Sequence, residues 1–123
     1  MDKKLIRKKF RDAVFKRDKY TCQICGQVYS EKESDPSLGI INAHHITDRN
    51  LMPNGGYTPF NGITVCDEKG KYPGKTSCHM MVEQWHLTDG NEELVEEQYR
   101  PDSLYMKIDS SLGLAEKKSK QLK

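Results

Sequence analysis

The sequence predicts a small α+β fold: a two-stranded hairpin followed by a helix, with a basic helix in front and a four-cysteine zinc site holding the parts together. Three observations carry this expectation. The chain has 123 residues, enough for one domain with a tail. Apolar residues make up 35%, below the roughly 45–50% usual for globular chains, although that average also counts Gly. A core this thin needs help from a metal, disulfides or a partner. Finally, two short β-branched stretches lie between segments of helical periodicity, with four cysteines placed around them. No apolar run is long enough to cross a membrane and no signal-peptide core follows Met1. The expected location is therefore the cytoplasm. In a reducing compartment, cysteines serve as metal ligands or free thiols more often than as disulfides.

Leu5, Ile6, Phe10, Ala13 and Val14 recur at helical spacing, so an amphipathic helix is expected from Lys4 to Asp18, basic on its outer face. Tyr20 to Gly26 then reads as a tight Cys-x-x-Cys-Gly turn, and Ser30 to Ser37, with Pro36, as a polar loop. Ile40 to Ile46 is the first strand candidate. Asp48 to Phe60 holds Pro53, Asn54-Gly55-Gly56 and Pro59, the makings of a long turn-rich connection. Ile63 to Cys66 is the second strand candidate. Asp67 to Lys75 reads as a loop, followed by a helix capped by Thr76 or Ser77 that runs through Trp85 and stops before Asp89-Gly90. Glu92 to Gln98 reads as a short acidic helix ended by Pro101, and the chain from about Glu116 as frayed. The expected divisions are 1–20 for the basic helix, 21–88 for the hairpin–helix unit, and 89–123 for an acidic helix and a basic, partly disordered tail.

The net charge of +2 hides an asymmetry. Residues 1–19 carry nine basic and three acidic side chains, whereas Asp89 to Glu97 holds five acids and no base. Lys117, Lys118, Lys120 and Lys123 make a basic tail. One basic face of this kind suits a polyanion, and a solvated helix face suits the same pattern equally well.

Cys22 and Cys25 form one ligand pair on a turn. Cys66 and Cys78 form a looser one, with eleven residues between them. Four thiolates suit a closed tetrahedral Zn²⁺ site, which would pin the first helix to the hairpin–helix unit. A redox pair, a disulfide or buried thiols are the alternatives. All four histidines lie between residues 44 and 86. His44 and His45 are adjacent at a strand end and must point to opposite sides. His79, Glu83 and His86 share one helix face, opposite Met81, Val82 and Trp85. Imidazoles and a carboxylate so placed suit metal-assisted phosphodiester hydrolysis, which needs a cation at the phosphate and a base near neutral pKa for the water. His86 reads as a satisfied surface residue in preference to a ligand.

These residues resemble the HNH endonucleases of the ββα-metal (His-Me finger) group. The matching stretches are Tyr20-Thr21-Cys22-Gln23-Ile24-Cys25-Gly26, Ala43-His44-His45-Ile46, Asn54-Gly55-Gly56-Tyr57, Asn61-Gly62-Ile63-Thr64-Val65-Cys66, and Cys78-His79 with Glu83. They span about residues 10 to 86, in the right order, and look most like small freestanding bacteriophage or bacterial members. The resemblance implies a ββα-metal finger with His45 as general base, His44 and His79 as ligands of a catalytic divalent ion, and Glu83 as a third. It implies that Asn61 holds the long loop, orienting the base, or binds the ion. The cysteines would hold structural zinc. The long Cys66–Cys78 spacing departs from the commonest pattern.

The implied activity is metal-dependent hydrolysis of double-stranded DNA by nicking or double-strand cleavage, in the host cytoplasm if phage-encoded. The ligand types favour Mn²⁺, Ni²⁺, Co²⁺ or Zn²⁺, with Mg²⁺ open at cellular concentrations. Lys8, Arg11, Lys16 and Arg17 are the expected phosphate contacts, and Arg49 a clamp on the scissile phosphate. No sequence-reading module is evident, so strong specificity would come from a homodimer or another partner. Two other readings stand beside this one: a non-catalytic zinc-dependent DNA-binding or assembly module, and an accessory nuclease of a phage DNA-packaging terminase.

Overall fold

The computed structural model describes residues 2–68 and 76–122. Most of the loop expected over 67–75, and Lys123 of the basic tail, lie outside the described residues. Within them the chain is a small α+β fold with a two-stranded antiparallel hairpin and four α-helices. Helix α1 (Lys3–Arg17) begins at Asp2, whose carboxylate accepts the Lys4 N–H, and buries Phe10, Val14 and Phe15. Leu5, expected on the apolar face, is 47% exposed, because the helix's first turns extend past the core.

Strands β1 (Ile41–His45) and β2 (Gly62–Cys66) pair from Ile41↔Cys66 at one end to His45↔Gly62 at the other. Every residue of β2 is buried. Helix α1 lies so close to β2 that a Cβ on Gly62 would stand 2.5 Å from Val14 and 2.7 Å from Phe10, so glycine is required by packing at that position. Asp18, at the end of α1, stitches the two together: its carboxylate accepts the Thr64 N–H at 2.9 Å. Helix α2 (Cys78–Leu87) starts at Ser77, whose hydroxyl accepts the Met80 N–H at 3.2 Å, and buries Cys78 and Val82. Phe15, Ile41, Ile46, Ile63, Val65 and Val82 form the centre of the core.

Two expectations for the last third are corrected. Glu92 to Gln98 is not an α-helix. It is a set of turns with one 3₁₀ turn at Glu97–Tyr99. A helix there would stack Glu92 on Glu96 and Glu93 on Glu97, like charges one turn apart. Pro101 does not end a helix but opens α3 (Pro101–Lys107), at a position where its missing N–H has no partner to lose. The expected frayed tail is α4 (Leu112–Lys120), capped by the Ser111 hydroxyl, with Ala115 and Ser119 buried. It docks on the long connection between the strands. Asn54 donates to the Ser119 carbonyl at 2.9 Å and the Lys118 ammonium lies over the Phe60 ring.

Candidate functional site

Two clusters of side chains could hold a metal ion, and the hairpin and α2 contribute to both. The first is the cysteine set. Cys22 and Cys25 sit on a turn closed by an isolated bridge between Thr21 and Val28. Within it the Cys22 N–H donates to the Gln27 carbonyl and the Gly26 N–H to the Cys22 carbonyl, both at 2.9 Å. Gly26 takes φ +80°, which a glycine adopts without strain. The Gln23 N–H reaches across to the Thr64 carbonyl, fixing the turn to β2. Cys66 ends β2 and Cys78 opens α2, so these two elements bring the second pair to the turn that holds the first.

The four sulfurs lie within 4.8 Å of one another, and those of Cys25 and Cys66 are 3.8 Å apart. A disulfide requires about 2.0 Å. Tetrahedral zinc with bonds of about 2.3 Å spaces its sulfurs about 3.8 Å apart, so the cysteines fit a structural ion. The Cys22 thiol is lowered to about 4, chiefly by a hydrogen bond with Cys78 and further by backbone N–H groups, against the opposing effect of burial. Burial raises the Cys66 thiol. Cys22, Cys66 and Cys78 are buried and Cys25 is exposed at the edge of the group, a set of thiols that one cation could hold together.

The second cluster lies at the other end of the hairpin, along an open cleft of about 430 Å³ lined by His44, His45, Asp48, Arg49, His79, Glu83 and His86. His44 and His45 do point apart. His44 is 2% exposed and turns toward α2, its Nδ1 3.3 Å from the Glu83 carboxylate. His44 stacks on His86 with ring centroids 5.0 Å apart. The His44 Nε2 is buried and has no hydrogen-bond partner among the described residues. Ligand atoms of His44, Glu83 and His86 lie within 4.8 Å of one another, a donor set suited to a borderline divalent ion. His79 is at the edge of this group, with Nε2 3.4 Å from Glu83 and Nδ1 3.2 Å from Asp67.

Electrostatics follow position. Burial lowers His44 to about 4, despite the Glu83 carboxylate beside it. Burial would lower His79 too, but its contacts with Glu83 and Asp67 outweigh that and raise it. The same hydrogen bonds from His44 and His79 hold the Glu83 carboxyl well below the usual carboxylate range.

His45 turns the other way, toward α1. Its ring stacks on Phe10 at 4.6 Å and meets Tyr57 edge-on at 4.8 Å. Burial first, and then the neighbouring His44, lower it to about 4, so the imidazole is neutral at pH 7. Its buried Nε2 has no hydrogen-bond partner among the described residues. Asn61 is fully buried behind it. The Asn61 amide accepts the Thr47 N–H at 3.0 Å and donates to the Thr47 and Gly56 carbonyls. It therefore clamps both ends of the long connection. The Ile46 N–H donates to the Asn61 carbonyl at 2.9 Å, one residue after His45.

The chain matches no family model, no curated protein and no solved structure. The reading of the site therefore rests on its own geometry.

Among the expected phosphate contacts, Arg17 is corrected. Its guanidinium donates to both Asp18 oxygens, to the Pro59 carbonyl and to the Gly62 carbonyl, so it fastens α1 to the start of β2. Lys16 is exposed, Arg11 half-buried, and Lys8 pairs with Asp12 at 2.6 Å on the surface. Arg49 is exposed at the cleft wall, and hydrogen bonds from Arg49 and Arg7 to the Tyr57 oxygen outweigh burial and lower the Tyr57 hydroxyl.

Sequence reasoning missed two supporting residues. Asp67 partners His79, and Tyr105 donates to the Asn61 side-chain oxygen at 2.7 Å. His86, read from the sequence as a satisfied surface residue in preference to a ligand, is half-buried and belongs to the candidate ligand group.

Proposed function

We propose that this chain is a metal-dependent endonuclease of the HNH, ββα-metal type, hydrolysing DNA phosphodiester bonds with His45 as general base. The observation that carries the reading is the division of labour at the end of β1. Two adjacent imidazoles face opposite ways, one into a carboxylate–imidazole group and one, neutral and lacking a partner at Nε2, into an aromatic clamp. A solvated histidine pair has no need of either arrangement. The hairpin and α2 then serve as the finger, with the cysteines holding a structural zinc.

His45 accepts the proton of the attacking water. The water oxygen forms the new bond to phosphorus, the bond to the departing sugar oxygen breaks, and that oxygen leaves with a proton from solvent. When bound, a divalent ion supplies positive charge at the phosphate and the departing oxygen. His44 and Glu83 would hold it, with His79 at its edge. Phe10 and Tyr57 hold the base ring in one orientation. Arg49 faces the cleft, where a phosphate would lie, and Lys8, Arg11 and Lys16 offer backbone contacts along α1.

The test is nicking of supercoiled plasmid by the zinc-loaded protein with Mn²⁺, Mg²⁺ or Ni²⁺ added. The wild type is expected to cut in a metal-dependent manner. His45→Ala is expected to fold normally by circular dichroism and to lose at least about 100-fold in rate, the scale of a general base. Full activity in that variant overturns the mechanism. Tight DNA binding without cleavage under every metal favours a binding module instead.

A further inference from the structure

We infer that His86 is a ligand of the divalent ion, and that it also ties that ion's site to the strand carrying His45. This rests on the metal-dependent part of the reading above, and not on cleavage itself.

The argument starts from one hydrogen bond. The His86 Nε2 is 2.8 Å from the backbone carbonyl of His45. A carbonyl oxygen only accepts, so Nε2 carries the proton. In a neutral imidazole that leaves the lone pair on Nδ1. Metal-bound histidines are held in this way, with one ring N–H donated to a carbonyl or carboxylate and the other nitrogen bound to the ion. His86 thus has its tautomer set before any ion arrives.

Its surroundings agree. The ring stacks on buried His44, and one of its ring nitrogens lies within 4.8 Å of ligand atoms of His44 and Glu83. The unpartnered, buried His44 Nε2 is a second mark of an incomplete polar site. His86 is half-buried on the inner face of α2 and lines the cleft. A surface histidine would show none of these features.

The consequence is a mechanical link. His45 presents its carbonyl to His86 on one side of β1 and its ring to Phe10 and Tyr57 on the other. Filling the ion site fixes His86, and His86 fixes the backbone of His45. Ion binding and base position then depend on one side chain.

The test uses the full chain with zinc already in the cysteine site. Mn²⁺ is titrated and free ion read by electron paramagnetic resonance. The wild type is expected to bind one Mn²⁺, and His86→Ala to weaken it at least tenfold. His86→Gln retains an N–H for the His45 carbonyl and lacks the imidazole lone pair. It is expected to keep the wild-type melting temperature and still lose Mn²⁺ affinity. Mn²⁺ affinity within twofold of wild type in folded His86→Gln overturns the inference.

A measurement on the unmutated protein covers the case where both variants unfold. In a long-range ¹H–¹⁵N spectrum, a second equivalent of Zn²⁺ is expected to shift the His86 Nδ1 resonance strongly and leave Nε2 protonated. No change at Nδ1 overturns the inference. Loss of Mn²⁺ binding in His86→Gln, in a protein whose wild type cuts no DNA, supports this inference while removing the nuclease reading.

Discussion

The hairpin carries one ligand cluster at each end, and α2 connects them. Cys66 pairs with Ile41 at one end and Gly62 with His45 at the other. Cys78 opens α2 and His86 lies eight residues on, a rise of about 12 Å along the helix. The two clusters differ in hardness, closure and protonation. Four cysteine sulfurs could provide all four ligands of a tetrahedral ion. The histidine cluster offers two imidazoles and a carboxylate along an open cleft, leaving positions unfilled. A set that saturates its ion suits support, and one that leaves coordination open suits chemistry. Helix α2 contributes Cys78 to one group and Glu83 and His86 to the other.

The largest expected effect comes from breaking the cysteine end. Structural zinc contributes about 10–16 kcal/mol of apparent binding energy in small domains, as large as the entire stability of most. Removing it with a strong chelator, or making Cys78→Ser, is expected to abolish cooperative unfolding and dissolve both clusters. Differential scanning calorimetry with and without chelator checks this, and an unchanged transition would show that the core stands without the ion. Because ligand thiols must be deprotonated, acid is expected to act as a chelator does.

Asn61 tests the other end. The Asn61→Ala variant strips partners from the Thr47 N–H and carbonyl, the Gly56 carbonyl and the Tyr105 hydroxyl. Buried groups left unsatisfied cost about 1–3 kcal/mol each, and part of that is recovered by relaxation. A loss of about 3 kcal/mol is expected in urea denaturation, with zinc content unchanged by metal analysis. Loss of zinc along with Asn61 would show the two ends to be one cooperative unit.

Arg17 sharpens the comparison by showing that charge alone does not mark function. The Arg17→Ala variant removes hydrogen bonds to Asp18, Pro59 and Gly62 and is expected to lower stability by about 1–2 kcal/mol. The Lys16→Ala variant is expected to leave stability unchanged and to flatten the salt dependence of DNA binding by about one unit of slope. A stability loss in the lysine variant alone would reverse the two assignments.

How much of this was legible in the sequence follows a physical line. The helix of residues 78–87, the two strands and the cysteine set were legible because period, capping and ligand spacing are local properties. His44 and His45 were separable because neighbours on a strand face opposite ways. The contact of His86 was not legible because its acceptor is the carbonyl of His45, 41 residues away. Arg17 was misread for the same reason, as its acceptors lie on the connection and β2. The C-terminal helices escaped because polar, lysine-rich sequence looks like tail until its few apolar residues find a surface. Ala115 is small and Ser119 polar, and both are buried where α4 packs on the rest of the chain, with Asn54 donating to the Ser119 carbonyl.

That covering surface leads to the smallest effect. Tyr105 is buried on α3, and its hydroxyl lies 2.7 Å from the Asn61 oxygen and 2.6 Å from the Thr47 hydroxyl. Burial raises its pKa to about 12, so it stays a neutral donor across the physiological range. In Tyr105→Phe the ring keeps its packing and only the hydroxyl goes. One hydrogen bond of this kind is worth about 1 kcal/mol. The expected result is a drop of that size in stability, with Mn²⁺ affinity unchanged, because His44, Glu83 and His86 do not touch the ring. The cysteine end is also untouched, so zinc content should hold. If Mn²⁺ affinity falls with Tyr105→Phe, the C-terminal helices reach the ion site through Asn61 and Thr47. The contrast between a supporting end and a reactive end would then extend to a third region, one that braces the reactive end from behind.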